Sequence, residues 1–482
     1  MKAKISAGSK SICLAVLSCL VITCKPKADK QVDKVQEEKQ ELKTIALVGK
    51  RGINQHTYVN EIDPFLNSYL TLPEGYTGPS FDLKHDYPVE APPPADFPWK
   101  KVTNDGLITQ NNSLAYVNAL KEYVSADMHK LIFDYNNWND KTMPWWQSIW
   151  LGTQREPIHG MYVGSEFNAG TLAEQDINLT TFVYTLYDAT SAVTLNRIWG
   201  ADLYGAENPN LSDVDAAQYI EGSVIVKFAF VTASGEEWSP MESAATWTVY
   251  TDVDPATGQP TGGEPKMMDL YLMQFDIIVK DSQAAPQTGW VFSTLVYDKN
   301  APGNDAWDKM VPLGATWGDN PDVINLNQSA LIPPVTVNPS LSQNWINMNT
   351  PDYARSTLGW DGRLSGPNDG AVVAPAITTS KVKYDALATV GCLGCHSSAQ
   401  YKSKSFLMPA PFPPKQIGDA LEVYDPGSQD WMKWFQSNDG KTPMDGGPGQ
   451  IGLDYDMVTS FKAIPMWEAA MKQKAEATAS VQ

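Results

Sequence analysis

Cysteine and histidine are scarce in this sequence, with five of each in 482 residues. Cys13, Cys19 and Cys24 all lie close to the amino terminus. The remainder therefore cannot be a disulfide-stapled scaffold, which needs a dense framework of cysteines. Basic residues are in deficit as well, 36 against 55 acidic, leaving a net charge of −19. That balance excludes sequence-independent binding to nucleic acid, whose phosphates need clustered Lys and Arg. Beyond residue 23 no apolar run reaches the ~18 residues of a membrane-spanning helix. Also missing are the P-loop, H-E-x-x-H and G-x-S-x-G, and with them the sequence grounds for P-loop nucleotide, zinc-protease or serine-hydrolase chemistry. What is present is a globular composition, 43% apolar and 19% charged, with 16 Trp, 20 Tyr and 14 Phe.

The amino-terminal segment carries a targeting pattern. Lys2, Lys4 and Lys10 make a basic start, and Ile12–Thr23 is apolar but too short to cross a bilayer core of ~30 Å. Residues 1–23 therefore read as an export signal. Its end, Val21-Ile22-Thr23-Cys24, resembles a lipoprotein signal, in which the cysteine becomes the lipidated amino terminus. Cys24 is favoured over Cys19, because cleavage at Cys19 leaves an apolar stub ahead of the polar stretch. An ordinary cleaved signal with incidental cysteines is the alternative. Residues 24–45 then form a flexible tether. Losing three lysines with the signal takes the charge from −19 to −22, so a soluble partner is expected to present a basic face. The expected location is the periplasmic side of a bacterial membrane, reached through the lipid anchor.

Two architectures follow one another along the chain. Residues 112–136 have a helical period, with Leu114, Val117, Leu120, Val124, Met128 and Leu131 on one face behind a Ser113 cap. Five later stretches, Thr180–Asp188, Ser223–Thr232, Thr246–Thr251, Asp269–Lys280 and Thr288–Asp298, are rich in β-branched and aromatic residues. Turn signals separate them, which points to antiparallel strands and a sandwich. The expected division is a β-rich body over residues 46–375 and a smaller, mainly helical domain over residues 376–482. Helices in the latter are expected at Tyr384–Gly391, Ser428–Gln436 and Tyr455–Lys474, the last interrupted at Pro465.

One motif carries chemistry. Gly391-Cys392-Leu393-Gly394-Cys395-His396 contains C-x-x-C-H. Cysteines three apart on a helical turn can add to the two vinyl groups of a haem, and the next histidine then supplies an axial ligand to its iron. Structural zinc needs four ligands, and a thioredoxin-like pair needs a strand–turn–helix setting; a disulfide does not need the histidine. Here the sequence resembles the c-type cytochromes, over the motif and the helical pattern of roughly the last 105 residues. The resemblance implies one covalent haem c on Cys392 and Cys395, with His396 on the iron and an all-α, class I-like domain. It also implies a methionine as the sixth iron ligand. Met444, in the irregular loop Thr442-Pro-Met-Asp-Gly-Gly-Pro-Gly449, is favoured, with Met408 next.

The expected function is electron transfer through that haem to a redox partner protein. The alternative is a haem oxidoreductase whose β-rich body binds a substrate and passes electrons to the haem. A non-redox binding protein using a Trp-rich groove is a third reading. His56, His85, His129 and His159 show no ligand-like spacing and read as structural residues. Trp145, Trp146, Trp150, Trp290, Trp307 and Trp317 read as core and rim residues rather than as a ligand groove. Arg363 reads as a solvated side chain, with pairing to a haem propionate as the other possibility.

Overall fold

A computed structural model describes residues 63–93, 96–167, 169–170, 172–202, 206–318, 343–355, 392–402, 438–444 and 447–481, together with two-residue strands at 372–373, 377–378, 383–384, 387–388, 416–417 and 420–421. The signal, the tether, Cys19, Cys24, His56, Arg363, Met408 and the Ser428–Gln436 stretch lie outside the described residues.

The helices of the body are α1 (Pro98–Thr103), α2 (Ser113–Phe133) and α3 (Ala189–Trp199). Its strands are β1 (Trp145–Trp146), β2 (Tyr162–Phe167), β3 (Leu179–Asp188), β4 (Val224–Val231), β5 (Thr246–Thr251), β6 (Lys266–Lys280), β7 (Trp290–Tyr297), β8 (Met310–Thr316) and β9 (Asn344–Ile346). All nine join a single antiparallel sheet in the order β1-β3-β4-β6-β7-β8-β9, with β2 also on β3 and β5 on β6. The five stretches rich in Val, Ile and aromatics thus became strands, but in one sheet rather than in the two layers of a sandwich. Helices and the carboxyl-terminal segment supply the covering that a second sheet would have given.

Strand alternation sorts the sheet into two faces. On one face Tyr184, Phe228 and Phe275 form a cross-strand row. This face packs against α2: Trp247 Nε1 donates to the Ile132 carbonyl, and Trp307, edge-on to Phe275, donates to Ser125. Val117, Leu120, Val124, Met128 and Leu131 of α2 are buried, as their spacing predicts, whereas Leu114 in the first turn is exposed. On the opposite face lie two adjacent rows, Tyr187-Ile225-Ile278-Phe292 and Thr185-Lys227-Asp276-Thr294.

The carboxyl-terminal residues do not form the all-α domain that the resemblance to c-type cytochromes implied. Lys383–Tyr384 and Leu387–Ala388, where a helix was expected, are strands, paired with Ile377–Thr378 and Val372–Val373 respectively. Eight residues hold barely two helical turns, too short a window for periodicity to separate helix from strand. One long helix is described, α5 (Ile464–Val481), entered through a π turn at Thr459–Ala463. Helical conformation runs unbroken from Met457 through the π turn into this helix, so Pro465 lies inside a helical stretch without interrupting it. Its missing N–H falls where the ladder has already widened, which removes the usual penalty of an internal proline. A short helix α4 (Cys392–His396) carries the motif. Cys392, Leu393, Leu453, Tyr455 and Met466 belong to the same hydrophobic core as the sheet.

Candidate haem-attachment site

The five residues of α4 place Cys392 and His396 one turn apart, with Cys395 between them on the same helix. Cys392 and Leu393 are buried, and His396 is half-buried. Of the Cys395 side chain only its position on α4 is described. The turn closes by hydrogen bonds from Ser397 N to the Leu393 carbonyl (2.7 Å) and from Ala399 N to the His396 carbonyl (3.0 Å). Gln400–Tyr401 then pairs with Ile451–Gly452, tying the motif to a segment about fifty residues further on.

That segment holds the histidine. The Nδ1 of His396 lies 2.8 Å from the Tyr455 carbonyl oxygen. A carbonyl only accepts, so Nδ1 is the protonated nitrogen and Nε2 keeps the lone pair that a metal needs. Phe292 on β7 meets the ring edge-on at 4.8 Å and fixes its tilt. Burial pushes the His396 imidazole down to about 4, so the ring stays neutral, as a ligand must be. The donor set fits a haem iron: a neutral imidazole with its second nitrogen committed, one residue after a cysteine pair of the required spacing.

Beneath this turn the sheet presents charge. Lys227 on β4 contacts Asp276 on β6 at 3.3 Å, in a cross-strand pair. Thr294 and Gln274 donate to the other oxygen of Asp276, at 2.9 and 2.7 Å. Burial works against the Lys227 charge, but Asp276 and, more weakly, Tyr162 and Cys392 outweigh it and hold the ammonium above its ordinary value. Lys227 is thus close enough to both Cys392 and His396 to act on them electrostatically. No motif search finds these two residues. The signal is nevertheless present: a lone Lys in VIVKFAFV and a lone Asp in QFDIIVK are charges inside otherwise apolar strands, where ionised groups occur only when paired.

Tyr455 is itself clamped. Asp454 and Tyr455 both have left-handed backbones, φ 44° and 69°, a conformation costing about 1–2 kcal/mol for each non-glycine residue. Fixed partners on the sheet offset that cost. The Asp454 carboxylate accepts from Lys280 Nζ at 2.7 and 2.9 Å, Trp290 Nε1 at 2.8 Å and Tyr219 N at 2.8 Å. Asp456 accepts from the hydroxyls of Tyr187 (3.1 Å), Tyr219 (2.6 Å) and Thr459 (2.6 Å). Gly440, at φ 77°, lies so close to Asp454 Oδ1 that any Cβ there would collide with it.

Met444 is half-buried in the loop at residues 438–444. This loop meets the same clamp: the Tyr455 hydroxyl donates to the Asn438 carbonyl at 2.7 Å, and Asp454 N donates to the Gly440 carbonyl at 3.0 Å. The other histidines have structural surroundings. His129 contacts Asp305 at 2.8 Å, His85 lies against Phe65, and His159 is stacked on Trp247. Trp145, Trp146, Trp150, Trp290, Trp307 and Trp317 are all buried, as core residues.

No family model matches the chain, and neither a curated protein nor a solved structure matches it. Among the described residues no group of three or more His, Cys, Asp or Glu side chains is placed to hold a metal ion, so they offer no zinc-type site. A haem differs in bringing four nitrogen ligands of its own and asking the chain only for axial donors.

Proposed function

We propose that the protein is a one-electron carrier with a single haem attached through Cys392 and Cys395 and His396 Nε2 as its axial donor. The observation that carries this reading is the commitment of His396 Nδ1 to the Tyr455 carbonyl beside a C-x-x-C pair. A haem bound there would supply the Fe(III)/Fe(II) couple. The chain's own contribution is to fix the imidazole, keep it neutral and place a paired charge, Lys227–Asp276, beneath it. Met444 is proposed as the sixth ligand, since its loop is anchored on the segment that positions His396. In this reading the chain is exported and held at the periplasmic face of a membrane by a lipid on Cys24. Its acidic balance of 55 against 36 charges favours a redox partner with a basic docking face. Among the described residues no helix is long and apolar enough to cross a membrane.

A second reading, a haem oxidoreductase with a substrate site on the body, draws on a crevice lined by Tyr69, Gln154, Glu156, Met161 and Phe182. Burial pushes the Glu156 carboxyl up to about 7, against hydrogen bonds from the backbone N–H groups of Ile158, Met161, His159 and Tyr250. A carboxyl poised near neutrality in a crevice is suited to proton transfer. One experiment tests both readings. A pyridine haemochrome assay of the exported protein, alongside the Cys392→Ala, Cys395→Ala double variant, should show covalent haem in the first only. CO added to the reduced protein should leave the spectrum unchanged for a carrier with two axial ligands and alter it for an enzyme with an open site. Absence of covalent haem from the parent protein would refute both readings.

A further inference from the structure

We infer that Asp454 and Asp456 are positioning residues that set the electron-donating strength of His396, and through it the reduction potential of the site. This inference rests on the haem reading above. The two carboxylates flank Tyr455, whose carbonyl is the acceptor for His396 Nδ1. Left to itself the Asp454–Tyr455 backbone would relax from its left-handed conformation and turn that carbonyl away. What prevents this is a set of contacts to four separate parts of the body: Lys280 on β6, Trp290 on β7, Tyr187 on β3 and Tyr219 in the loop before β4. Asp454 has no exposed side-chain surface and Lys280 only 11%, so water cannot replace these partners. A second contact to the motif side is equally fixed, from Leu453 N to the Ala399 carbonyl at 3.0 Å. The carbonyl therefore reaches Nδ1 from a rigid frame, not from a loop free to drift.

The consequence follows from ligand chemistry. A firm Nδ1–H···O bond moves electron density toward Nε2 and makes it a stronger donor, which favours Fe(III). Loosening the frame weakens the bond and shifts the equilibrium toward Fe(II). Removing a buried carboxylate would also raise the potential by charge alone, so a variant that keeps both charges is needed. Trp290→Phe is that variant, since it deletes one hydrogen bond to Asp454 Oδ1 and leaves the Lys280–Asp454 pair.

The experiment uses the haem-loaded, full-length protein and its Trp290→Phe and Asp454→Asn variants. Two quantities are read: the midpoint potential, and the rate at which the His396 Nδ1–H proton exchanges with solvent in the reduced state, by NMR. Both variants should exchange that proton at least tenfold faster than the parent. Asp454→Asn should shift the Fe(III)/Fe(II) equilibrium about tenfold toward Fe(II), or ~59 mV for a one-electron couple, with Trp290→Phe shifting it less in the same direction. Loaded variants whose exchange rate matches the parent's would overturn the inference and leave the haem reading intact. A parent protein without covalent haem would overturn both, which separates the two failures.

Discussion

Replacing Lys280 by Met should strongly destabilise the protein. Lys280 and Asp454 form a buried ion pair, 2.7 Å apart, between the end of β6 and the carboxyl-terminal segment. The methionine fills the space of the lysine stem but leaves the Asp454 carboxylate with only two neutral donors, Trp290 Nε1 and Tyr219 N. Breaking a buried pair from one side costs about 3–5 kcal/mol, because the remaining charge keeps its desolvation penalty without its partner. Urea unfolding followed by Trp fluorescence at neutral pH gives the deficit, which should be ~3–5 kcal/mol. Adding Asp454→Leu should recover most of it, since an apolar pair of similar volume is often as stable as the buried ions. A deficit under ~1 kcal/mol would refute the reasoning.

Two further outcomes are expected. Met444→Ala in the haem-loaded protein should lower the reduction potential and let CO bind the reduced iron, as loss of a thioether ligand demands; an unchanged potential would assign the sixth position to another residue, with Met408 first. His159 lies flat on Trp247, with ring centroids 4.3 Å apart, and burial holds it down to about 3. An unfolded histidine titrates near ~6.5, so this group lowers stability as pH falls from there toward 3, by up to about 1.4 kcal/mol per unit. His159→Phe should flatten that part of the stability profile, and parallel profiles for the two proteins would count against the assignment.

Much of the sheet was legible because strands buried on both faces must be written in β-branched and aromatic residues. LTTFVYTLYD and WVFSTLVY leave little else to read. β2 and β8 were missed, since YVGSEF and MVPLGAT each carry a glycine and polar or proline residues that mimic a turn. α3 was missed because ATSAVTLNRIW is rich in residues of modest helix propensity. It is started instead by Asp188, whose side chain caps Ser191 N, and is fixed by packing. The C-x-x-C-H motif was legible as letters because, in the haem reading proposed above, its spacing is a covalent requirement that depends on no surrounding fold. The surroundings did not follow from it: what holds His396 is a backbone carbonyl, and a carbonyl leaves no mark on a residue's identity. Asp454 and Asp456, two carboxylates around one tyrosine, were visible as letters, but their meaning depends on partners more than 160 residues away in sequence.

The strand order ends in β1 on one side and β9 on the other, with two and three residues. An open sheet normally offers its outermost strand as a template on which another chain can add, and the length of that strand sets how many hydrogen bonds the newcomer can make. Two or three residues give too few to hold it. Two further strands lie outside that order: β5, which pairs only with β6, and β2, which is broken on β3 by a register shift between Val163 and Glu166 that interrupts any regular ladder along it. Copies held at high local concentration, as at a surface, would therefore not zip together along β1 or β9. Encounters there are left to side-chain surfaces, which can release a partner as readily as they meet it.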